Sequence, residues 1–248
     1  MTAPVFQARG IHVRFGSRVV LEEVDFDVAP GELQGIMGPN GAGKTTFFNV
    51  ITGRVKPSRG RIMLDGSDAT GLPPHAMAAR GVGRSFQIMT LFDEFTAAEN
   101  VMLARPAFRA GATSLARAAG NAAEMQDARA ILAGIGLSDK ADMQAKSLAY
   151  GERRALEIGV ALAQAPRLLC LDEPTSGLGA DGIARLAELI GGIKGQLAIV
   201  MIEHDMDFLF RLADRISIMH WGQVIARGTP ASLKQNPWVQ RSNLGKLQ

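Results

Sequence analysis

The chain has 248 residues, 47% hydrophobic and 21% charged, with 28 glycines, 11 prolines and one cysteine, enough for a domain with a real core and too ordered in composition for a disordered tail. The longest stretch free of Asp, Glu, Lys and Arg is 11 residues, well short of the ~20 that a membrane-spanning helix needs. The excess of 27 Lys+Arg over 24 Asp+Glu is small and scattered and excludes a nucleic-acid surface, while the opening MTAPVFQARG lacks a signal-peptide pattern and the lone Cys170 forms no intramolecular disulfide, as expected of a chain kept inside the cell.

In chain order, Ile11, Val13 and Phe15 alternate with His12 and Arg14, then Val24, Phe26 and Val28 with Asp25 and Asp27. Period two gives one buried and one wetter face, the pattern of an antiparallel sheet. Residues 33–37 form a short apolar strand, followed by glycines and a helical pattern over 44–52; residues 61–64 read as a strand closed by Asp65-Gly66. From about 88 to 164 the chain turns Ala-rich without a strand pattern. Thr96 with Glu99 three residues on forms a capping box, and 121–133 and 151–164 are further helices, the last with Leu156, Val160 and Ala163 on one stripe. Strand runs at 167–171, 197–202 and 216–219 then alternate with helices at 181–193 and 205–212, the alternation of a parallel sheet. The expected fold class is α/β: a core with a mixed sheet flanked by helices, an antiparallel β subdomain at the N-terminus and an inserted α-helical subdomain. Within one domain over 1–248, segments 1–87 and 165–248 form the core and 88–164 the insert.

Residues 38–45, Gly38-Pro39-Asn40-Gly41-Ala42-Gly43-Lys44-Thr45, fit G-x-x-x-x-G-K-[ST] between a strand and a helix. The glycines let backbone N–H groups turn inward around phosphate oxygens, and the helix N-terminus adds its positive dipole end. Lys44 reaches the outer phosphates and the Thr45 hydroxyl is a Mg²⁺ ligand; Thr46 completes the nucleotide-binding run. Asp172 ends an apolar strand and Glu173 follows it. Adjacent strand residues point opposite ways, so Asp172 is the metal candidate and Glu173 the candidate general base for an attacking water.

This ordered set resembles the nucleotide-binding subunit of an ABC transporter over nearly the whole chain. Gln87 resembles the Q-loop glutamine, which meets metal and water; Leu148-Ala149-Tyr150-Gly151-Glu152 resembles the signature that opens a helix; Ser176-Gly177-Leu178 resembles the D-loop and His204 the switch histidine. Phe15 sits where that family stacks an aromatic on adenine. The resemblance implies an ATPase with ATP and Mg²⁺ as cofactors, acting as a two-fold pair in which ATP is held between the phosphate loop of one subunit and the signature of the other. Two residues depart from the pattern: Ala149 replaces a signature hydroxyl, and Gly179 stands where an acid is usual.

The forms Leu-Ala-Tyr-Gly, Glu203-His204-Asp205-Met206-Asp207, Met89-Thr90-Leu91-Phe92 and Gly228-Thr229-Pro230 are most similar to subunits of branched-chain amino acid importers. The implied setting is the cytoplasmic face of a bacterial-type inner membrane, with a like or related ATPase subunit, integral membrane permease subunits docking near Met89, Leu91, Phe92 and Phe95, and, indirectly, a solute-binding protein. A lipopolysaccharide-extraction ATPase and a soluble P-loop kinase or NTPase are the alternatives. The latter has no use for the signature or His204.

Overall fold

The computed structural model describes residues 3–85, 91–105 and 122–236. The chain divides into two units, Met1–Val82 with Arg167–Glu173 and Ile193–Gln248, and Gly83–Pro166 with Pro174–Gly192.

The first unit opens with β1 (Phe6–Phe15) and β2 (Arg18–Val28), paired antiparallel from Phe6 opposite Val28 to Phe15 opposite Arg18. With β4 (Arg59–Leu64) and β5 (Ser67–Asp68) they form a four-stranded sheet of order β2-β1-β4-β5. The expected alternation holds at Ile11 and Val13, both buried. It fails at Phe15, the last residue of β1, which pairs with Arg18 at the exposed end of the hairpin. Phe15 is 54% exposed.

The second sheet has the order β10-β9-β3-β8-β7-β6. Its members are β3 (Leu33–Met37), β6 (Val82–Arg84), β7 (Leu168–Asp172), β8 (Ala198–Ile202), β9 (Arg215–His220) and β10 (Gln223–Gly228). β3 runs parallel to both β8 and β9, β7 runs parallel to β8, and β10 is antiparallel to β9, so the sheet is mixed. Every residue of β3, β7 and β8 is buried, as near-continuous apolar runs require when both faces of a sheet are covered.

Helix α1 (Lys44–Ile51) buries Phe47, Phe48, Val50 and Ile51. The Phe47 ring meets Phe26 edge-on at 5.2 Å, and Phe26 meets Phe6 at 6.5 Å. Such pairs add about 0.5–1.5 kcal/mol each beyond the burial of their area.

A charged cluster ties β2 to the far edge of the second sheet. Arg215 Nη2 donates to Asp27 Oδ2 at 2.9 Å, Arg227 Nη1 donates to Asp27 Oδ1 at 3.0 Å, and Arg215 also pairs with Glu32. Burial alone would raise the Asp27 carboxyl; the Arg215 hydrogen bond and the charges of Arg215, Arg227 and Arg9 outweigh it and hold the group below its ordinary range.

The second unit is helical. α3 (Ala97–Ala104) starts at Thr96, whose Oγ1 accepts from Glu99 N at 3.2 Å while Glu99 Oε2 accepts from Thr96 N at 2.7 Å, so the expected capping box is present. α4 (Ala122–Gly134) and α5 (Tyr150–Leu162) join α3 around Val101, Met102, Leu132 and Leu156. All but the last residue of α6 (Ala180–Ile193) belong to this unit, and Leu189 packs against its core. The remaining α-helices among the described residues, all in the first unit, are α2 (Pro74–Ala79), α7 (Met206–Leu212) and α8 (Pro230–Lys234). Sequence periodicity does not reveal α2, α8, β5, β6 or β10, all short or at an edge.

Candidate functional site

The site is built at the carboxyl edge of the parallel strands, where the loops after β3, β7 and β8 emerge. The loop after β3 owes its shape to two kinds of glycine. Gly38 has φ 151, and a Cβ there would lie 2.1 Å from the Met219 carbonyl oxygen, so the position requires both the conformation and the missing side chain. Gly41 has φ 80 with nothing within 4 Å of a Cβ, so only its conformation matters. Gly43, at φ 96 and ψ 2, stands at the N-cap of α1 and provides no side-chain cap, which leaves the first-turn N–H groups available to an anion. Asn40 and Thr45 are exposed, Ala42 is buried, and Pro39 and Thr46 are half-buried.

Lys44 is 6% exposed, and its Nζ donates to the carbonyls of Gly38 at 2.7 Å and Pro39 at 3.0 Å. The ammonium is thus folded back over the loop it serves. Burial lowers its proton affinity, opposed by the charges of Glu173 and Asp172. That coupling puts both carboxylates in the electrostatic field of the lysine. Asp172 ends β7 and is 1% exposed; Glu173, just beyond the strand, has a side chain 31% exposed. Glu173 adopts φ 47, a left-handed backbone rare for a long side chain. Its N–H donates to Ile202 O at 2.9 Å, which fixes the strained residue to the end of β8.

His204 follows β8, and its Nε2 lies 2.8 Å from Glu173 Oε1. Two neighbours that the sequence offers only as part of a motif support the histidine. Glu203 is 2% exposed, and its Oε2 accepts from His204 N at 3.0 Å. Asp205 Oδ1 accepts from Phe208 N at 3.0 Å and caps α7. The acidic residues flanking His204 are the only sequence signal for this support.

The signature segment lies in the helical unit. Ala149 occupies the N-cap of α5 without a side-chain acceptor, and its own N–H donates to Glu152 Oε2 at 2.9 Å. The Lys140 hydrogen bond, opposed by burial, holds the Glu152 carboxyl below its ordinary range. The Tyr150 hydroxyl donates to Ser176 O at 3.1 Å and lies over Gly177, where a Cβ would meet that hydroxyl at 2.9 Å. Gly151 has room for a small group, with Leu178 Cδ2 at 3.6 Å from a Cβ there.

Of the expected docking residues, Phe92 is 58% exposed, Leu91 packs partly against the helical core, and Phe95 stacks on Phe92 with ring centroids 5.5 Å apart. Gln87 and Met89 lie outside the described residues.

The model of the family described as ABC transporter matches residues 21–176. The chain is 38% identical over 264 aligned positions to the high-affinity branched-chain amino acid transport ATP-binding protein LivG of Escherichia coli (strain K12), an alignment covering 99% of this chain and 100% of LivG. It is 34% identical over 242 positions, 97% of each chain, to the lipopolysaccharide export system ATP-binding protein LptB of Acidithiobacillus ferridurans. A crystal structure of the ADP conformation of MJ1267, an ATP-binding cassette of an ABC transporter, superimposes with a TM-score of 0.85 at 28% identity, covering 99% of this chain and 100% of that one. A phosphate loop, an acidic pair and a histidine on one sheet edge, within a fold shared along its length with such cassettes, make this chain a member of the ABC transporter family, as an ATP-binding and ATP-hydrolysing subunit.

Proposed function

We propose that the chain is the ATPase of a branched-chain amino acid importer, working at the cytoplasmic face of the membrane as one of a pair of like or related subunits bound to integral membrane permeases. The observation that carries the chemical part is the convergence of Lys44, Asp172 and the Glu173–His204 pair, 2.8 Å apart, beside a glycine loop with a free helix N-terminus.

In this reading the loop amides of residues 38–46 and the Lys44 ammonium bind the triphosphate, and Phe15, exposed at the end of β1, offers a ring face to the base. The donor set suits Mg²⁺. Among the described residues no three His, Cys, Asp or Glu side chains form a cage, and Mg²⁺ characteristically takes one or two protein oxygens plus phosphate oxygens. Thr45 Oγ1 and the Asp172 carboxylate are such donors, with Gln87 as a third; the metal supplies charge neutralisation at the phosphates. Glu173 accepts the proton of the attacking water, and His204, hydrogen-bonded to the same carboxylate, orients it.

In the same reading residues 88–164 are a helical subdomain inserted between segments 1–87 and 165–248 of one domain; the compact helical unit itself spans Gly83–Pro166 with Pro174–Gly192. Its Ala149, Tyr150, Gly151 and Glu152 face the nucleotide of the second subunit, and Phe92, Leu91, Phe95 and Met89 receive the permease. The relative LivG supports the amino acid assignment by its function and by full-length similarity.

Size-exclusion chromatography of Glu173→Gln tests the pairing: a dimer in ATP and a monomer in ADP is the expected result, and a monomer in both would overturn the two-site arrangement. Uptake of labelled leucine by the reconstituted transporter tests the solute class.

A further inference from the structure

The turn between β9 and β10 brings an unassigned aromatic to the same sheet edge. β9 runs parallel to β3, so its end at His220 emerges beside the phosphate loop, and Trp221 comes next. Trp221 has φ 49, a conformation that bulky side chains rarely adopt. Its side chain is 82% exposed, the most of any large hydrophobic residue among the described residues. Its recorded ring contact is with His220, edge-on at 5.5 Å. Neither backbone preference nor burial favours tryptophan at this position, so a ligand contact is the better account.

The turn is fixed to the phosphate loop. Gly222 N donates to Ala42 O at 3.1 Å, Glu22 N donates to Gly222 O at 3.0 Å, and the Met219 carbonyl closes on Gly38. Gln223 Nε2 meets Glu22 Oε2 at 3.1 Å, and a Cβ on Gly222 would lie 2.3 Å from Val20 O. That order of neighbours, Gln223 at Glu22 and Gly222 at Val20, carries Trp221 toward Val19 and the tip of the β1–β2 hairpin. Val19 is 49% exposed there and Phe15 54%.

The sheet order then gives direction. Glu173 and His204 follow β7 and β8 on one side of β3, and Trp221 follows β9 on the other. A triphosphate whose terminal phosphate faces Glu173 leaves the loop with its nucleoside on the β9 side. We propose that Trp221 is a nucleobase-binding residue, its indole forming with Phe15 and Val19 an apolar cleft for the base of the bound nucleoside triphosphate. The proposal rests on the phosphate-loop reading above and adds a residue to it.

The test uses the full chain and two ligands, ATP and inorganic tripolyphosphate, measured by isothermal titration calorimetry. Base–aromatic stacking translates into roughly a 5- to 150-fold change in dissociation constant. Trp221→Asn is expected to weaken ATP binding by that factor and leave tripolyphosphate unchanged; Trp221→Phe is expected to recover most of the loss. Asparagine tolerates the left-handed backbone, so the thermal midpoint of Trp221→Asn should not fall, which separates lost binding from lost folding. The chain has two tryptophans; with Trp238→Phe in the background, ATP should quench the remaining emission and tripolyphosphate should not. Unchanged ATP affinity in Trp221→Asn overturns the proposal, as does an equal loss for both ligands. Intact ATP affinity with lost ATP-dependent dimerisation would assign Trp221 to the partner instead. A wild-type chain that binds neither ligand removes the phosphate-loop reading itself, and this proposal with it.

Discussion

Glutamine at position 173 separates chemistry from binding. The substitution keeps side-chain length, and its amide oxygen can still accept from His204 Nε2, which sits 2.8 Å from Glu173 Oε1. The hydrogen bond from the Glu173 N–H to Ile202 O, at a residue with φ 47, involves only the backbone and is retained. What disappears is the basic carboxylate. Losing a general base costs about 10²–10⁴-fold in rate, or roughly 3–5 kcal/mol of barrier. Ground-state affinity rests on the loop amides and Lys44, so the ATP dissociation constant should stay near wild type. Single-turnover phosphate release gives the rate, and calorimetry gives the affinity. His204→Ala provides a cross-check: because the two side chains form one hydrogen-bonded unit, the double variant should be no slower than the product of one full loss and a small remainder. Turnover in Glu173→Gln within about 10-fold of wild type would refute the assignment of the base.

Lys44→Ala removes the ammonium that bridges the Gly38 and Pro39 carbonyls; charge-assisted contacts of about 1.5–3 kcal/mol each predict loss of ATP affinity by at least about 10-fold, read by calorimetry. Gly38→Ala, with its Cβ 2.1 Å from Met219 O, should lower unfolding free energy by about 1–3 kcal/mol on top of the backbone penalty. Gly41→Ala, open on all sides at φ 80, should cost only the backbone term of about 1–2 kcal/mol; urea titrations rank the two. Asp27 has a folded-state affinity for protons below its ordinary 3.8, so it contributes stability above that pH and loses it as pH falls through the depressed value. Asp27→Asn should therefore be less stable at neutral pH and show a shallower loss of stability between about pH 4 and pH 2, measured by thermal melts across pH.

The strands at 33–37, 168–172 and 198–202 were legible because each is an unbroken apolar run, and the structure buries all of their residues. The loop from Gly38 to Thr45 was legible because its spacing is itself the geometry. β10 was not, since its residues are exposed or half-buried and present no apolar rhythm; α2 spans only six residues, too few to show a period. Phe15 shows how alternation misleads at a strand end: it shares parity with Ile11 and Val13, yet it stands in solvent at the end of the β1–β2 hairpin. The Glu173–His204 contact is invisible to spacing because it depends on β7 lying beside β8. Each residue could be picked from its motif, but the 2.8 Å between them is a property of the sheet.

Four positions that defy local preference stand where the parallel strands end. Lys44 is a buried cation, Asp172 a buried acid, and Glu173 and Trp221 are large residues on left-handed backbone. Each such backbone position costs on the order of 1–3 kcal/mol and persists only where its surroundings over-determine it. Here the surroundings are visible: Ile202 O holds the Glu173 amide, and Ala42 O with Glu22 N holds the turn that carries Trp221. Glu23, Asp65 and Ala165 are also left-handed, but none of them belongs to a loop that follows a strand of the second sheet's parallel set. The strain at Glu173 and Trp221 is thus anchored to the frame of the phosphate loop itself, through the ends of β8 and β9. A single sheet edge can hold the acid, the histidine and the aromatic in register with the loop because the same strand ends that fix the backbone also set the spacing of the chemistry.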